Sequence, residues 1–524
     1  MKKTIKLKSL FYNIIKVLDV TMFTWIIFLM VNSCSIEFFC KKEFLMNNIV
    51  LIFTGEGILG LGLLLGVKIR KNRKDFIRKI CSVLPFIALL FLMLQIWICY
   101  NIFFETGWDS GNNVIPTVRA LLKGESVGFF YENYFAYYPN NIFLVNIYWL
   151  ILKINELLGI FKDEYQLMSI VVVNCCLSSI SCWLVYLIAK EKLSQSIAIF
   201  TYIIALVLVG LSPGMVICYS DSLAIFMPVL IIYLYSKEKI NCYLKWFAIL
   251  LIGYVGYCVK PQVFIVMIAI ILIEILKLFE HVNKEIMIKI VGSIVISIGI
   301  IALISTGMNS IYSKEGLEPR SEKNVSPTHY FMMGLNQERN GVFLREDVEL
   351  SIACKTKKER MKINMEVALD RIKKMGPKGY FKFLSKKMLT NYDDGTFAWG
   401  VEGGFYAKVS ELPNKNVAPI LRNFYYNDGK YHILYSTVVQ GVWVMVVVGC
   451  WVQMIIACIN KKIVSEEYMV MSLSIMGLTI FELLFEARAR YLYIYVPIYI
   501  LVFGYGIKNR IRIYEKYVKE RKNR

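Results

Sequence analysis

Runs of about twenty apolar residues recur along nearly the whole chain, and that is the length a helix needs to cross the hydrocarbon core of a bilayer. At 57% hydrophobic residues and a mean hydropathy of +0.53, the 524-residue chain is too apolar for a soluble enzyme with a single anchor. The pattern predicts an all-α polytopic membrane protein with about twelve transmembrane helices. The runs fall at 10–33, 47–67, 82–104, 166–189, 194–212, 222–236, 243–259, 261–279, 286–307, 433–459, 467–484 and 489–508. The first follows a basic start and lacks a small-residue cleavage site, so it reads as an uncleaved span rather than a signal peptide.

The formal charge of +21 does not require a nucleic acid partner. Lysine and arginine gather in loops that alternate spans place on one side: Lys68–Lys79, Lys237–Lys245, Lys277–Lys289 and the tail from Lys508 to Arg524. Positive loops stay cytoplasmic and attract anionic lipid. The expectation is a multi-pass protein of the cell membrane, partnered by the lipid bilayer, with both termini cytoplasmic. The thirteen cysteines form no metal-binding spacing, and most lie within spans as small apolar residues. Cys34 and Cys40 are spaced for an outer disulfide, though nothing demands one.

Four regions follow: a two-span extension and basic loop at 1–79, a transmembrane core at 80–307, a long extracytoplasmic segment at 308–431, and the last spans with the tail at 432–524. Within the core, 105–164 forms a first outer loop. Its apolar stretch 139–158 is expected to lie in the outer leaflet, because a crossing there would invert every later basic loop. In the long segment, a helix over Lys355–Met375 should stop at Gly376-Pro377, followed by a basic amphipathic helix on the membrane surface, Tyr380–Leu389. Glycine-rich loops are expected at Asp393–Gly395 and 399–404.

Few charges remain on the outer face, and these are the candidates for chemistry. Asp109, in Gly107-Trp-Asp-Ser-Gly111, is either a general base made basic by a low-dielectric boundary or a helix cap. Asp221, in Tyr219-Ser-Asp-Ser222, is either a second carboxylate that holds a sugar hydroxyl or a metal, or a cap. Lys260, followed by Pro261, interrupts an apolar stretch; it is either a snorkelling lysine or half of an anion site completed by a helix N-terminus. Arg488 and Arg490, in Glu486-Ala-Arg-Ala-Arg-Tyr491, suit phosphate oxygens but face one ligand together only in an extended turn. His329 is one of three histidines, too few for a histidine zinc site.

Taken together, these motifs resemble the GT-C glycosyltransferases, multi-span enzymes that use a polyprenyl-phosphate sugar outside the cytoplasm. The likeness rests on Gly107-Trp-Asp-Ser-Gly111 with Ala120-Leu-Leu-Lys-Gly124, on Tyr137-Tyr-Pro-Asn-Asn141, on Tyr219–Ser222 with Lys260-Pro261, and on Arg488-Ala-Arg-Tyr-Leu-Tyr493. It is nearest to the protein-mannosyltransferase group, family 39, but Asp109-Ser110 stands where those enzymes carry an Asp-Glu pair. The resemblance implies an inverting transfer to a cell-surface glycan, a teichoic-acid-like polymer or a glycolipid. It implies Asp109 as catalytic base, with Lys260, Arg488 and Arg490 on the donor phosphate. Asp221, Tyr219, Tyr138, Asn140, Asn141 and Glu486 would orient sugar or metal, and His329 and Trp399 would lie on the acceptor side. A divalent cation, Mg or Mn, would be held by Asp109 and Asp221 if one is used. The alternative is a transporter or flippase of lipid-linked sugars, which predicts polar residues deep in the spans.

Overall fold

The computed structural model describes all residues except 1, 73, 163–164, 281–283, 320–321, 402–405, 412, 460–463 and 523–524. Parts of two expected basic loops, the end of the tail and part of the glycine-rich stretch 399–404 therefore lie outside the described residues. The fold is an all-helical bundle with one short two-stranded sheet. Among the described residues, seven helices are long and apolar enough to cross a membrane. Three shorter apolar helices, Asn48–Gly62, Gln195–Gly210 and Ser220–Tyr235, fall where spans are expected.

The bundle has two chemically distinct ends. At one, lysines and glutamates tie neighbouring helices: Lys8 meets Glu466 at 3.4 Å and Lys192 meets Glu467 at 3.0 Å. Lys277 reaches Glu466 at 2.5 Å, Lys237 pairs with Glu191, and the Lys508 ammonium donates to the Lys192 carbonyl at 2.5 Å. The first helix (Lys2–Val31) starts at this end, and the last (Val496–Lys522) passes it on the way to the C-terminus. The opposite end carries the short helices and loops that hold the candidate residues.

Helix His432–Ile459 packs along helix Val496–Lys522 at the centre. Small residues make the approach close: a Cβ at Gly449 would lie 2.1 Å from Phe503 Cδ2. Buried hydroxyls pin the same region. Tyr392 Oη lies 2.6 Å from both Thr479 Oγ1 and Tyr499 Oη, and the Trp443 indole donates to the Tyr392 carbonyl at 2.9 Å.

Helix Ile142–Leu158, with the turn before it, meets the length and composition of a crossing segment. Its connections show that it does not run from one end of the bundle to the other. Asn141, before its first turn, donates to the Tyr134 hydroxyl at 2.6 Å, in the site loops. Asn155, in its last turn, bonds Phe161 through both its amide and its carbonyl, at 2.8 and 3.0 Å. Four residues later Tyr165 packs on Tyr100 and Phe103 at the same end, with ring centroids 5.1 and 5.8 Å apart. Four residues span at most about 14 Å, so both ends of this helix stay at the site end.

The long segment is tied into the bundle. Its helix Lys357–Tyr392 begins at Thr356, whose side chain accepts from the Glu359 N–H. The backbone breaks at Gly376, where φ is 61° and ψ is 175°, as the Gly-Pro pair predicts. The following stretch is not the expected surface helix. Ser385 and Lys387 through Tyr392 are buried, and Phe381 stacks on Trp25 of the first helix at 5.3 Å. Lys387 is 0% exposed, and its ammonium donates to the carbonyls of Gly334 at 2.6 Å, Leu483 at 3.0 Å and Phe485. It satisfies the open C-terminal carbonyls of helix Glu466–Leu484 and fastens the segment beneath the site. The segment also returns to the first loop, where Tyr406–Val409 pairs antiparallel with Phe104–Thr106. Cys34 and Cys40 are both free thiols.

The Gly449 contact gives a direct test. Gly449→Ala should overpack the central helix pair, with a cost of about 1–3 kcal/mol. A lower melting temperature of the detergent-solubilised protein, and no such drop for Gly57→Ala, whose added Cβ meets nothing within 4 Å, is the expected outcome.

Candidate functional site

The first loop is folded tightly before it meets any other element. The Gly111 N–H donates to the Gly107 carbonyl at 2.9 Å, and a Cβ at Gly111 would sit 1.8 Å from the Thr106 carbonyl oxygen. Only glycine fits there. Trp108 takes the left-handed backbone region, with φ of 55°, which a bulky residue enters only when its surroundings compel it. Ser110 donates its hydroxyl to the Cys218 carbonyl and so ties the first outer loop to the second.

This geometry separates the two readings of Asp109. Its side chain makes no capping bond to the following helix. Instead its Oδ2 accepts from the Tyr219 hydroxyl at 3.2 Å. Asn141 Nδ2 lies 3.4 Å from the same hydroxyl. Asp109 is exposed.

Asp221 is placed differently from either expectation. It lies in the first turn of Ser220–Ala224 but does not cap it; it is 8% exposed, and its carboxylate is committed to two cations. Lys260 bonds Oδ1, and Arg490 Nη1 lies 3.4 Å from Oδ2. Lys260 is 4% exposed and ends helix Cys242–Val259 in an extended conformation, after which Pro261 opens a short turn. The expected helix N-terminus is not free at this point: the Val263 N–H donates to the Lys260 carbonyl at 3.0 Å and the Val266 N–H to the Tyr495 hydroxyl at 3.1 Å. The lysine does not snorkel; it is held inside the site.

The two arginines diverge. The Arg490 guanidinium is boxed by the rings of Trp108, Tyr219 and Tyr491, at 5.3, 5.1 and 5.4 Å from their centroids. Lys260 lies 4.6 Å over the Tyr491 ring. Arg488 turns away to bond Glu486 through Nε at 2.7 Å and lines a different, small cleft with Cys40 and Asp394. Tyr491 completes the Glu486 carboxylate at 3.0 Å. Burial pushes the Glu486 carboxyl up, but the charges of Arg488 and Arg490 and these hydrogen bonds outweigh it and hold the group below its usual range.

A cavity of about 450 Å³ opens over this cluster. Its polar wall includes Asn140, Asn141, Tyr219, Lys260, Glu486 and Arg490, and its apolar wall includes Tyr257, Phe481 and Phe485. Tyr257 is 52% exposed on a helix long enough to span a membrane, so the apolar wall continues to the outer surface of the bundle. A second pocket of about 40 Å³ meets the first at Arg490 and is walled by Trp108, Asp221, Phe397, Ala398 and Trp399. Phe397 and Ala398 share the left-handed backbone of Trp108, with φ of 56° and 63°. Asp394 holds them there by accepting from the Thr396 and Ala398 N–H groups at 2.8 and 2.9 Å.

Most of the residues singled out in the sequence therefore meet at one end of the bundle, with exceptions. His329 lines neither cavity; it is buried in the long segment, where Nδ1 lies 2.7 Å from Ser351 Oγ. Tyr138 stands behind the wall, 6.4 Å from His329 by ring centroids, and Tyr137 lines the cavity in its place. Trp399 does line the small pocket, and its indole donates to the Tyr425 carbonyl at 2.6 Å. Among the described residues, no group of three or more His, Cys, Asp or Glu side chains converges as a metal site. Asp221 is engaged by two cations, so the pairing of Asp109 with Asp221 does not suit a divalent ion.

Sequence reading missed Tyr491, which was legible as the aromatic neighbour of Arg490, and Glu482. Glu482 lies one turn from Glu486 inside helix Glu466–Leu484, is 0% exposed, and has no hydrogen-bond partner for either oxygen among the described residues. Lys260 and Lys387 are the cations that face it.

Burial lowers His329 to about 4, while an unfolded histidine titrates near 6.5. Between those values the unfolded chain binds more protons, so His329 withdraws stability as pH falls from about 6.5 to 4. His329→Gln should remove about 2–3 kcal/mol of that acid sensitivity. Melting temperatures of the two proteins across that range check it; parallel curves would refute the assignment.

Neither the curated proteins nor the solved structures compared with the chain give a match. A family model described as "Conserved hypothetical integral membrane protein" matches residues 5–510. A bundle of apolar helices with a polar cavity at one end fits that description, and the chain belongs to this family of integral membrane proteins.

Proposed function

We propose that the protein is a membrane glycosyltransferase of the GT-C type, moving a sugar from a polyprenyl-phosphate donor to an extracytoplasmic acceptor. The observation that carries this reading is the meeting of buried Lys260 and half-buried Arg490 with a carboxylate from another loop, at a cavity whose far wall is apolar and reaches the bundle surface. A phosphate with a long hydrocarbon tail needs both features at once.

The lysine-rich end sets the orientation by the positive-inside rule, with both termini cytoplasmic and the cavity extracytoplasmic. Twelve crossings follow if the three shorter helices and Phe264–Glu280, Lys284–Lys314 and Val496–Lys522 also span, and Ile142–Leu158 lies along the outer leaflet. The donor enters from the bilayer with its tail against Tyr257, Phe481 and Phe485. Lys260 and Arg490 hold the phosphate, and Asn140, Asn141 and Tyr219 face the sugar. Asp109, one hydrogen bond from the cavity through Tyr219, takes the proton of the acceptor hydroxyl. The acceptor oxygen attacks the anomeric carbon from the face opposite the phosphate. The bond from that carbon to the phosphate oxygen breaks, and its electron pair leaves with the lipid phosphate, which the two cations stabilise. The anomeric configuration inverts, and exposed Asp109 returns its proton to water. A surface glycan, a teichoic-acid-like polymer or a glycolipid is the acceptor class, met on the side of Trp399.

A second reading, transport or flipping of a lipid-linked sugar, is favoured by carboxylates within the helices. Glu482 is one; Asp19, 2% exposed and bonded to Ser472, is another. The two readings separate on Asp109. In a deletion strain complemented with Asp109→Asn, the surface glycan should lose the transferred sugar, with transfer reduced at least about a hundredfold. The purified variant should still bind dodecyl phosphate in nanodiscs, whereas Lys260→Ala and Arg490→Ala should lose that binding. Glycan mass spectra unchanged by Asp109→Asn would remove it as the base and favour transport.

A further inference from the structure

One wall of the small pocket is the turn Thr396–Trp399, and this turn is strained. Phe397 and Ala398 are successive left-handed residues, a conformation that residues bearing a Cβ hold only when their surroundings compel it. Asp394 supplies one restraint through the Thr396 and Ala398 N–H groups. Lys42 supplies another. Its ammonium donates to Thr396 Oγ1 at 2.6 Å and to the Trp399 carbonyl at 3.0 Å, so it bridges the two residues that flank the left-handed pair. The Thr396 hydroxyl donates in turn to Asp394 Oδ1 at 2.6 Å, which joins ammonium, hydroxyl and carboxylate in one clasp around the turn.

Lys42 reaches the turn from the connection between the first two helices, and that connection is itself fastened to the site end. The Phe39 N–H donates to Asn340 Oδ1 at 2.7 Å, and the Leu45 N–H donates to Thr437 Oγ1 at 2.9 Å. Asn48, which opens helix Asn48–Asn72, donates to Asp393 Oδ1 at 2.5 Å and to the Met30 carbonyl at 2.9 Å. The chain is therefore held on both sides of the lysine. The residues assigned to the phosphate stand on other elements: Lys260 ends helix Cys242–Val259, and Arg490 lies in the turn after helix Glu466–Leu484.

We infer that Lys42 is a positioning residue, which holds the turn Thr396–Trp399 against the small pocket and so sets the wall that the acceptor meets. This rests on reading that pocket as the acceptor side of a sugar transfer. Without the ammonium, the left-handed pair loses the restraint that bridges it, and the Trp399 carbonyl loses the bond from Lys42. The turn then relaxes toward ordinary backbone, and the space between Trp399 and Trp108 changes shape. Lys260 and its partner Asp221 stand on elements that these bonds do not reach, so the phosphate side keeps its geometry. The extension 1–79 is thus a working part of the site and not only two added spans.

The test uses full-length Lys42→Met and Lys42→Arg, each in the complemented deletion strain and in nanodiscs. At equal membrane abundance, Lys42→Met should lower the transferred sugar on the surface glycan roughly ten- to a hundredfold, the scale of a misplaced reactant. The same protein in nanodiscs should bind dodecyl phosphate with the wild-type affinity. Lys42→Arg keeps a cation with several donors and should restore most of the transfer. This split between transfer and phosphate binding separates positioning of the acceptor wall from a general loss of fold, which would weaken both. Unchanged transfer in Lys42→Met overturns the inference. So does a parallel loss of dodecyl phosphate binding, or a loss of transfer that the arginine variant leaves unrepaired. The reading beneath it fails separately: if Asp109→Asn leaves the glycan unchanged, there is no transfer for the wall to serve, and the inference falls with it.

Discussion

Taking charged groups out of water is costly unless each finds a partner. The largely buried Asp221–Lys260–Arg490 cluster meets that condition only when three distant stretches of chain converge. The hinge after Gly210, the break at Lys260-Pro261 and the turn after Phe485 must all arrive together. The rest of the site end serves that meeting. Ser110 pins the first loop to the second, and aromatic rings enclose the Arg490 guanidinium. Lys387 closes the carbonyls beneath the last turn. Breaking the pair by removing one member leaves another charge stranded, so the architecture is more sensitive to single losses than its many apolar contacts suggest.

The part of this arrangement legible in the sequence was the part written as exceptions. A charge in an apolar chain is conspicuous, and Asp109, Asp221, Lys260 and Arg490 all stood out for that reason. That helix Ile142–Leu158 would keep to one end of the bundle was legible too, because a crossing there would have inverted the later basic loops. What could not be read was direction. Arg488 and Arg490 are chemically identical in the sequence, and only the backbone after Phe485 decides that one faces the cavity and the other Glu486. Tyr137 and Tyr138 exchange roles for the same reason.

Two residues were hidden by their surroundings. Lys387 sits among many basic residues in what reads as a surface helix, and its burial comes from the first helix and from carbonyls far away in sequence. Glu482 was absorbed into an apolar run, where one carboxylate barely alters the hydropathy. Both errors concern partners supplied by tertiary packing, which local periodicity does not encode. The pairing of Phe104–Thr106 with Tyr406–Val409 is a further case, since each strand is too short to leave a pattern.

The distribution of fastenings between the two ends has a mechanical consequence. At the lysine-rich end, ion pairs clamp helix to helix directly, among them Lys8 to Glu466 and Lys192 to Glu467. At the other end the helices are joined through loops, short turns and side chains that reach across a void. The base is thus stitched helix to helix, while the rim is laced by chain that crosses from one helix to another, so a change of loop sequence alters the rim and leaves the base as it is.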